Sequence, residues 1–340
     1  MIKVALIGVG KMGLSHFALL SAHPDVEVVA VCDSAGYLTS VINKQLGVKT
    51  YKDHKKMFNE CDIDAVVIST PNSTHYPLGK MALERGIHIF MEKPLSLNPA
   101  EGRELAELAK SKGLANQVGY HNRFIATFQE ARRLAQAGAI GEVYHVEGKT
   151  FGQVVIRPKK SGVTWRSKKN EGGGCLHDYA CHVLDLMNFI TGNVPERIDS
   201  AQLQSIFSAD TEDAVYATLG YGNGSTGLLE ANWSDQSYRK MSTTITLYGK
   251  NGKIICDRQE IKIYLTPGTT FENLETGWSI KYITELQKPV NFYMRGEEYS
   301  AQLDQFIATI GGQDPEVEST FSTATDTDEV IAKISKFGAH

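Results

Sequence analysis

A glycine-rich stretch directly after the first predicted strand constrains this chain more than any other feature. The apolar run Ile2–Ile7 predicts a strand, and the glycines of a GxGxxG pattern follow at Gly8, Gly10 and Gly13. In such a turn the first glycine permits a sharp bend and the second admits a pyrophosphate. The third lets the next helix pack on the strand. The N-terminus of that helix adds partial positive charge. The stretch therefore predicts a dinucleotide-binding turn.

A second predicted strand, Val26–Cys32, leads directly to Asp33. This is the place where an acidic side chain accepts hydrogen bonds from the adenosine ribose of a dinucleotide. A 2′-phosphate would meet the negative charge of Asp33, and no arginine follows it. The sequence therefore favours NAD over NADP, with NADP left as an alternative.

The alternation of strand and helix signals predicts the fold class. Over residues 1–121 it indicates a doubly wound parallel sheet, a Rossmann domain whose ligand crevice lies at the carboxyl ends of the strands. Residues 122–340 predict an α+β domain, whose sheet has one face that is either solvated or paired with another subunit. We expect a large, mostly antiparallel open sheet, because Asn223-Gly224 and Asn251-Gly252 are typical hairpin turns that join neighbouring strands. One face of this sheet should carry helices. The last strand candidate is Ile261–Leu265.

Charge and composition argue against several classes of protein. The chain has 35 basic and 39 acidic residues and a net charge of −4, which gives no support for a nucleic-acid partner. No apolar run approaches the length of a membrane span. The first strand starts at Ile2, which leaves no room for a signal peptide before the fold. Five cysteines without framework spacing indicate reduced thiols. We therefore expect a cytoplasmic protein without a membrane partner.

Two stretches carry side chains suited to chemistry. Glu92-Lys93-Pro94 follows a predicted strand of the first domain, where a lysine can bind a substrate hydroxyl or favour an alkoxide. A surface lysine at a strand end is the alternative. In the second domain Asp178 and His182 are four residues apart, and a helix would place them on one face. Histidine carries protons near neutral pH. An ordinary amphipathic helix with polar residues outward is the alternative there.

The same helical stretch raises the question of a metal. Cys175, His177, Cys181 and His182 fall within eight residues. Cys181 and His182 are consecutive, however, and point about 100° apart on a helix. The set also lacks the paired short spacings of zinc modules. We therefore expect no metal here. Three glycines, 172–174, precede the helix and would allow a ligand to approach the backbone.

The basic stretch Arg157–Lys169 could meet an anionic substrate, or it could be a solvated loop. Trp165 and Arg166 are its best pocket candidates, because they combine an apolar wall with a planar hydrogen-bonding fork. His16 follows the glycine turn, and His75 follows the predicted turn at Pro71-Asn72. Each could border the nicotinamide or simply cap a helix.

These motifs together resemble the glucose–fructose oxidoreductase, inositol 2-dehydrogenase and rhizopine-catabolism family, abbreviated GFO/IDH/MocA. The resemblance spans nearly the whole chain. In chain order, the motifs are GVGKMG with His16, Cys32-Asp33, Ser69-Thr70-Pro71-Asn72 with His75, Glu92-Lys93-Pro94, Gly119-Tyr120 with Arg123-Phe124, Trp165-Arg166, and GGGCLHDYACHVLD.

The resemblance implies NAD(P)-dependent hydride transfer at a ring hydroxyl of a sugar or inositol. His182 would exchange the hydroxyl proton, Lys93 would bind that oxygen, and Asp178 would tune the pair. The implied cofactor contacts are Gly8, Gly10, Lys11, Met12, Gly13, Asp33, Ser69, Thr70, Pro71, Asn72, His75, Glu92 and Lys93. The implied substrate contacts are Lys93, Arg123, Trp165, Arg166, Asp178, Tyr179 and His182. The family's open sheet often forms an interface, which implies a homodimer or homotetramer.

The chain departs from the family pattern around Asp178. His177 and Tyr179 stand where many relatives carry a smaller apolar residue and a glycine, so they would reshape the substrate pocket. A sugar-nucleotide dehydrogenase is a narrower variant of the main hypothesis, suggested by the basic stretch. An NAD-dependent glycosidase and a non-catalytic nucleotide-sensing regulator are alternatives from other classes. The proton-transfer set Lys93, Asp178 and His182 argues against the regulator.

Overall fold

The computed structural model describes residues 1–155, 157, 165–290, 296–313 and 317–338, without the side chains of residues 36–38 and 40. The strands are β1 (Ile2–Ile7), β2 (Val26–Cys32), β3 (Lys49–Tyr51), β4 (Ala65–Ile68), β5 (His88–Met91), β6 (Asn116–Val118), β7 (Val143–Phe151), β8 (Pro195–Gln204), β9 (Ala214–Tyr221), β10 (Thr226–Asn232), β11 (Ser242–Gly249), β12 (Gly252–Asp257), β13 (Glu260–Leu265) and β14 (Gly277–Tyr282). The helices are α1 (Lys11–Ala22), α2 (Gly36–Leu46), α3 (His54–Glu60), α4 (His75–Glu84), α5 (Pro99–Ser111), α6 (Ala126–Gln136), α7 (Cys181–Thr191), α8 (Ile283–Leu286), α9 (Glu297–Ile310) and α10 (Phe321–Phe337).

The first of two compact units comprises Met1–His121 and Val290–Thr325. Its six strands form one sheet in the order β3-β2-β1-β4-β5-β6, and every neighbouring pair is parallel. All four residues of β4 are fully buried, as expected for a central strand covered on both faces. The reversal of strand order beside β1 is the switch point at which such sheets bind ligands.

Helix α9 belongs to the first unit although it follows the second sheet in sequence. Leu303, Phe306 and Ile307 are buried in one cluster with Leu6 of β1 and Phe90 of β5. The sequence analysis assigned everything after residue 121 to the second domain. Its amphipathic pattern shows that α9 has a buried face, but the pattern cannot tell which sheet that face covers.

The second unit comprises Asn122–Pro289 and Asp326–His340. Its eight strands follow the order β14-β13-β12-β11-β7-β10-β9-β8, and only β7 and β10 pair in parallel. Helices α6 and α7 cover one face. Helix α7 lies close to the sheet, because a Cβ on Gly148 would be 2.5 Å from the Met187 sulfur. The predicted fold class, a parallel Rossmann sheet followed by a mostly antiparallel sheet, is confirmed.

The edge strand β14 is an element that the sequence analysis missed. Its alternate side chains Trp278, Ile280 and Tyr282 are about half exposed, at 56%, 47% and 52%. The alternation is visible in the sequence, but no hairpin signal of the Asn-Gly kind precedes it. Across the described part of the chain, no helix combines the length and the apolarity that crossing a bilayer requires.

Candidate active site

The glycine turn of the first unit has the geometry that its sequence predicts. Gly8 has φ +91°, and a Cβ there would lie 2.5 Å from the Ser69 carbonyl oxygen. A Cβ on Gly13 would lie 2.0 Å from the Gly8 carbonyl oxygen, so α1 packs directly on the turn. A Cβ on Gly10 would meet nothing within 4 Å. The first and third glycines therefore permit packing, whereas the second faces open space that a pyrophosphate can approach.

Asp33 is fixed beside this turn at the end of β2. Its Oδ2 accepts a hydrogen bond from the Val9 amide and its Oδ1 accepts one from the Ala35 amide, each at 2.7 Å. A carboxylate oxygen can accept more than one hydrogen bond, so ribose hydroxyls can still donate to it. The residues of the turn and Asp33 thus fit the pyrophosphate and ribose of a dinucleotide.

His75 ties together two loops at the carboxyl ends of strands. Its Nδ1 lies 2.8 Å from the Pro94 carbonyl oxygen and its Nε2 lies 3.1 Å from that of Thr70. The ring is fully buried. Burial lowers the pKa of His75, although both carbonyls favour the protonated form. The structure places His75 at the start of α4, between the predicted cofactor loop and the loop that follows Lys93. A contact with the nicotinamide remains a prediction.

Glu92 follows β5 and pairs with His16 of α1. Its Oε1 lies 2.6 Å from His16 Nε2, and the fully buried imidazole also contacts the Phe90 ring, with centroids 5.1 Å apart. Burial raises the pKa of Glu92, but the hydrogen bond and charge of His16 outweigh it, so the net pKa is lowered. A Cβ on Gly119 would lie 3.0 Å from Glu92 Oε2. The sequence analysis missed this pair, because nothing in the spacing connects residues 76 positions apart.

Lys93 lies directly after Glu92, half-buried, and its peptide bond to Pro94 is cis. It stands at the carboxyl end of β5. The glycine turn follows β1, Asp33 follows β2, and the loop Ser69–Asn72 follows β4. These four strands are neighbours in the parallel sheet. The first unit therefore gathers the predicted cofactor residues along one sheet edge.

In the second unit, Asp178 and His182 are carried by an irregular helix. A single π turn, Leu176–Ala180, leads into α7, so Asp178 lies in the π turn and His182 in the first turn of α7. Both side chains are buried, with 7% and 6% exposed. The sequence predicted a regular helix here. A π turn takes more residues than an α turn and often occurs at functional sites.

Asp178 is held by the predicted pocket residue Arg166. Arg166 Nε donates to Asp178 Oδ2 at 2.8 Å, and the guanidinium lies over the Trp165 ring, 4.6 Å from its centroid. Tyr179 is buried with its ring edge against Trp233, and burial raises the pKa of Tyr179 well above its ordinary value. The structure thus brings the adjacent residues Trp165 and Arg166 together with Asp178, which lies 12 positions after Arg166 in the sequence.

Arg123 is turned into the interior of the second unit. Its Nε and Nη2 donate to the two carboxylate oxygens of Asp185 at 2.8 and 2.6 Å. The side chains are 4% and 1% exposed. The family resemblance placed Arg123 among the implied substrate contacts, and Asp185 is the last residue of the GGGCLHDYACHVLD motif. The structure shows the two bound to each other, and a substrate contact of Arg123 remains a prediction.

Other parts of this protein lie close to the backbone of the glycines at 172–174. A Cβ on Gly173 would lie 2.4 Å from the Arg166 carbonyl oxygen. Gly174 has φ +107°, and its Cβ would lie 2.1 Å from Glu212 Oε1. The sequence analysis expected these glycines to admit a ligand. The structure instead shows loop backbone and a carboxylate beside two of them.

Two further expectations concern the metal and the basic stretch. Within the ranges that the structure describes, no group of three or more His, Cys, Asp or Glu residues is placed to hold a metal ion. Most of the basic stretch, including Lys159 and Lys160, lies outside the described residues. Lys168 is described, and its Nζ lies 2.8 Å from Glu171 Oε1.

A Rossmann unit with a dinucleotide turn, followed by a large antiparallel sheet, defines a class of nicotinamide-dependent oxidoreductases. The chain matches the "Oxidoreductase family, NAD-binding Rossmann fold" (GFO_IDH_MocA) over residues 2–120 and the "GFO/IDH/MocA C-terminal domain" over residues 128–255. The chain belongs to the GFO/IDH/MocA family. The resemblance inferred from the sequence is thereby confirmed, as are the oxidoreductase class and the NAD cofactor.

Individual relatives agree with this assignment. The uncharacterized oxidoreductase YdgJ of Escherichia coli is 34% identical over 222 residues, which is 65% of this chain and 62% of that protein. The scyllo-inositol 2-dehydrogenase (NAD(+)) of Bacillus subtilis is 26% identical over 298 residues, 84% of each chain. A solved levoglucosan dehydrogenase in complex with NADH and levoglucosan shares the fold, with a TM-score of 0.86 at 22% identity over 99% of this chain and 97% of that one.

Proposed function

We propose that this protein transfers a hydride between NAD and a ring secondary alcohol of a sugar or cyclitol. The observation that carries the proposal is the buried pair Asp178 and His182, a carboxylate and an imidazole on consecutive turns. A dehydrogenase must move a proton as well as a hydride, and this pair supplies a proton carrier. Relatives named for inositol and levoglucosan support the substrate class.

Each residue has a role in this proposal. NAD, when bound at the glycine turn, supplies the hydride acceptor. His182 takes the hydroxyl proton as the alcohol is oxidised. The role of Lys93 comes from the family resemblance, which implies that it binds the hydroxyl oxygen and stabilises its negative charge. Asp178 orients the proton-transfer group, and its own position is set by Arg166 at 2.8 Å.

The proposal extends to assembly and location. The half-exposed row Trp278, Ile280 and Tyr282 gives β14 an apolar surface, so we propose that the second sheet joins copies in a homodimer or homotetramer. All five cysteines are free thiols, which supports a cytoplasmic location.

A substrate panel tests the proposal. We expect the purified protein with NAD to form NADH, followed by its absorbance, with at least one inositol, aldose, sugar acid or sugar nucleotide. NADP is run in parallel to establish cofactor preference. Activity confined to sugar nucleotides would favour the narrower variant. If NADH binds but no substrate gives a signal, the dehydrogenase proposal fails. Release of a leaving group without net NADH would instead indicate a glycosidase.

Replacement of Asp33 tests how the cofactor is discriminated. Asp33→Ala removes a charged acceptor from the ribose, so we expect NADH affinity to fall by about tenfold. NADPH affinity is expected to change little, because removing the repulsion between Asp33 and the 2′-phosphate offsets the loss of a hydrogen-bond acceptor for the ribose. The fluorescence of each bound cofactor gives both Kd values. Asp33→Asn is the matched control, since it keeps an oxygen for the Val9 amide but removes the charge. An unchanged NADH to NADPH ratio in Asp33→Ala would show that Asp33 does not contact the ribose.

A further inference from the structure

Glu212 lies at the start of the π turn, and nothing in the sequence motifs assigned it a role. This half-buried residue stands two positions before β9. Its Oε1 accepts a hydrogen bond from the Leu176 amide at 2.8 Å, and its backbone carbonyl accepts one from the Cys175 amide at 3.0 Å. One residue from a distant part of the sequence therefore binds two consecutive amides where the turn begins.

Gly174 transmits this contact to Asp178. A Cβ on Gly174 would lie 2.1 Å from Glu212 Oε1, so the carboxylate rests directly against the glycine backbone. The carbonyl of Gly174 in turn accepts a hydrogen bond from the Asp178 amide at 3.1 Å. Glu212 thus fixes the backbone from Gly174 to Asp178.

The start of a helix leaves amides without partners inside the helix, and a local side chain usually binds one of them. Cys175 occupies that capping position, and its side chain makes no capping hydrogen bond. Glu212 supplies the missing acceptor.

We propose that Glu212 is a positioning residue for Asp178 and His182, because it holds the turn that carries Asp178 and leads into the helix that carries His182. The inference rests on the proposed function in naming those two side chains as the proton-transfer pair. Burial raises the pKa of the Glu212 carboxyl, and the hydrogen bond from Leu176 opposes this. A buried charge is costly, so the useful part of the side chain is its acceptor oxygen.

Two substitutions separate the acceptor from the charge. Glu212→Ala removes both, whereas Glu212→Gln keeps an oxygen for the Leu176 amide. Glu130→Ala is the matched control, since Glu130 is also a half-buried carboxylate of the second unit, paired there with Arg133 and Lys281. Turnover, the KM for NAD and hydrogen exchange of the amides of residues 175–182 are measured on the whole protein.

We expect Glu212→Ala to lower kcat by about 10- to 100-fold, because small misplacements of reacting groups have effects of this size. The KM for NAD should stay within about twofold, since the dinucleotide turn belongs to the other unit. Exchange of residues 175–182 should accelerate. Glu212→Gln should restore most of the turnover and most of the protection from exchange. Glu130→Ala should change neither turnover nor exchange.

Unchanged exchange at residues 175–182 in Glu212→Ala would overturn the inference. A second result would also overturn it: the kcat of Glu212→Gln is as low as that of Glu212→Ala, and in both variants the loss of kcat equals the fraction of unfolded protein. That result would show that Glu212 serves folding in general and does not position the turn. If the wild-type protein turns over no substrate, the proposed function fails on its own. Hydrogen exchange then still decides whether Glu212 holds the turn.

Discussion

Replacement of His182 by alanine is expected to lower kcat by about 10²- to 10⁴-fold while NADH still binds. This is the usual contribution of a positioned general acid or base. The imidazole is buried on the first turn of α7, so little solvent reaches its position to replace it as proton carrier. The dinucleotide turn lies in the other unit, which is why cofactor affinity should be retained. Steady-state turnover and NADH fluorescence measure the two effects separately.

Two further variants sharpen this test. His182→Asn retains a polar side chain of similar size but cannot carry the proton, so it should be as slow as His182→Ala. His177→Ala removes the imidazole of the preceding π turn. We expect it to change the KM for the substrate more than kcat, because His177 is expected to shape the substrate pocket and has no proposed role in proton transfer. A His182→Ala enzyme within a few-fold of wild type would remove His182 from the mechanism.

The sequence predicted the first unit better than the second, for a physical reason. Its central strands are short and apolar, and they are separated by helices with clear ends, such as α2, which stops at Gly47 in the left-handed conformation. These signals are local. The position of α9 could not be predicted. The apolar residues Leu303 and Phe306 indicate that the helix has a buried face, but their spacing does not indicate which sheet that face covers.

The candidate site shows the same division. Gly8, Gly13 and Asp33 were predictable because their roles arise within one strand-turn-helix unit. The π turn that carries Asp178 was not, since the four-residue spacing of Asp178 and His182 also fits an α-helix. Partners from distant segments were invisible as well. His16 with Glu92 and Glu212 with Leu176 depend on the tertiary fold alone.

The buried pair Arg123 and Asp185 leads to the largest expected effect on stability. Replacement of Asp185 by alanine should lower the free energy of unfolding of the second unit by about 3–5 kcal/mol, because it leaves a buried guanidinium without its carboxylate. All three tryptophans, Trp165, Trp233 and Trp278, belong to the second unit. Tryptophan fluorescence during urea unfolding therefore reports on this unit.

The cause of that loss can be separated from simple loss of packing. Asp185→Asn keeps the shape but removes the charge, so it should be nearly as unstable as Asp185→Ala. A double variant, Arg123→Met with Asp185→Leu, should recover much of the loss, since an apolar pair of similar volume removes both buried charges. Burial raises the pKa of Asp185 and outweighs the opposing effect of Arg123, which agrees with a pair whose desolvation is costly. A loss below about 1 kcal/mol in both single variants, the range of an exposed ion pair, would contradict this account. The pair would then be dispensable for the stability of α7 and free to serve the substrate, as the family resemblance implies for Arg123.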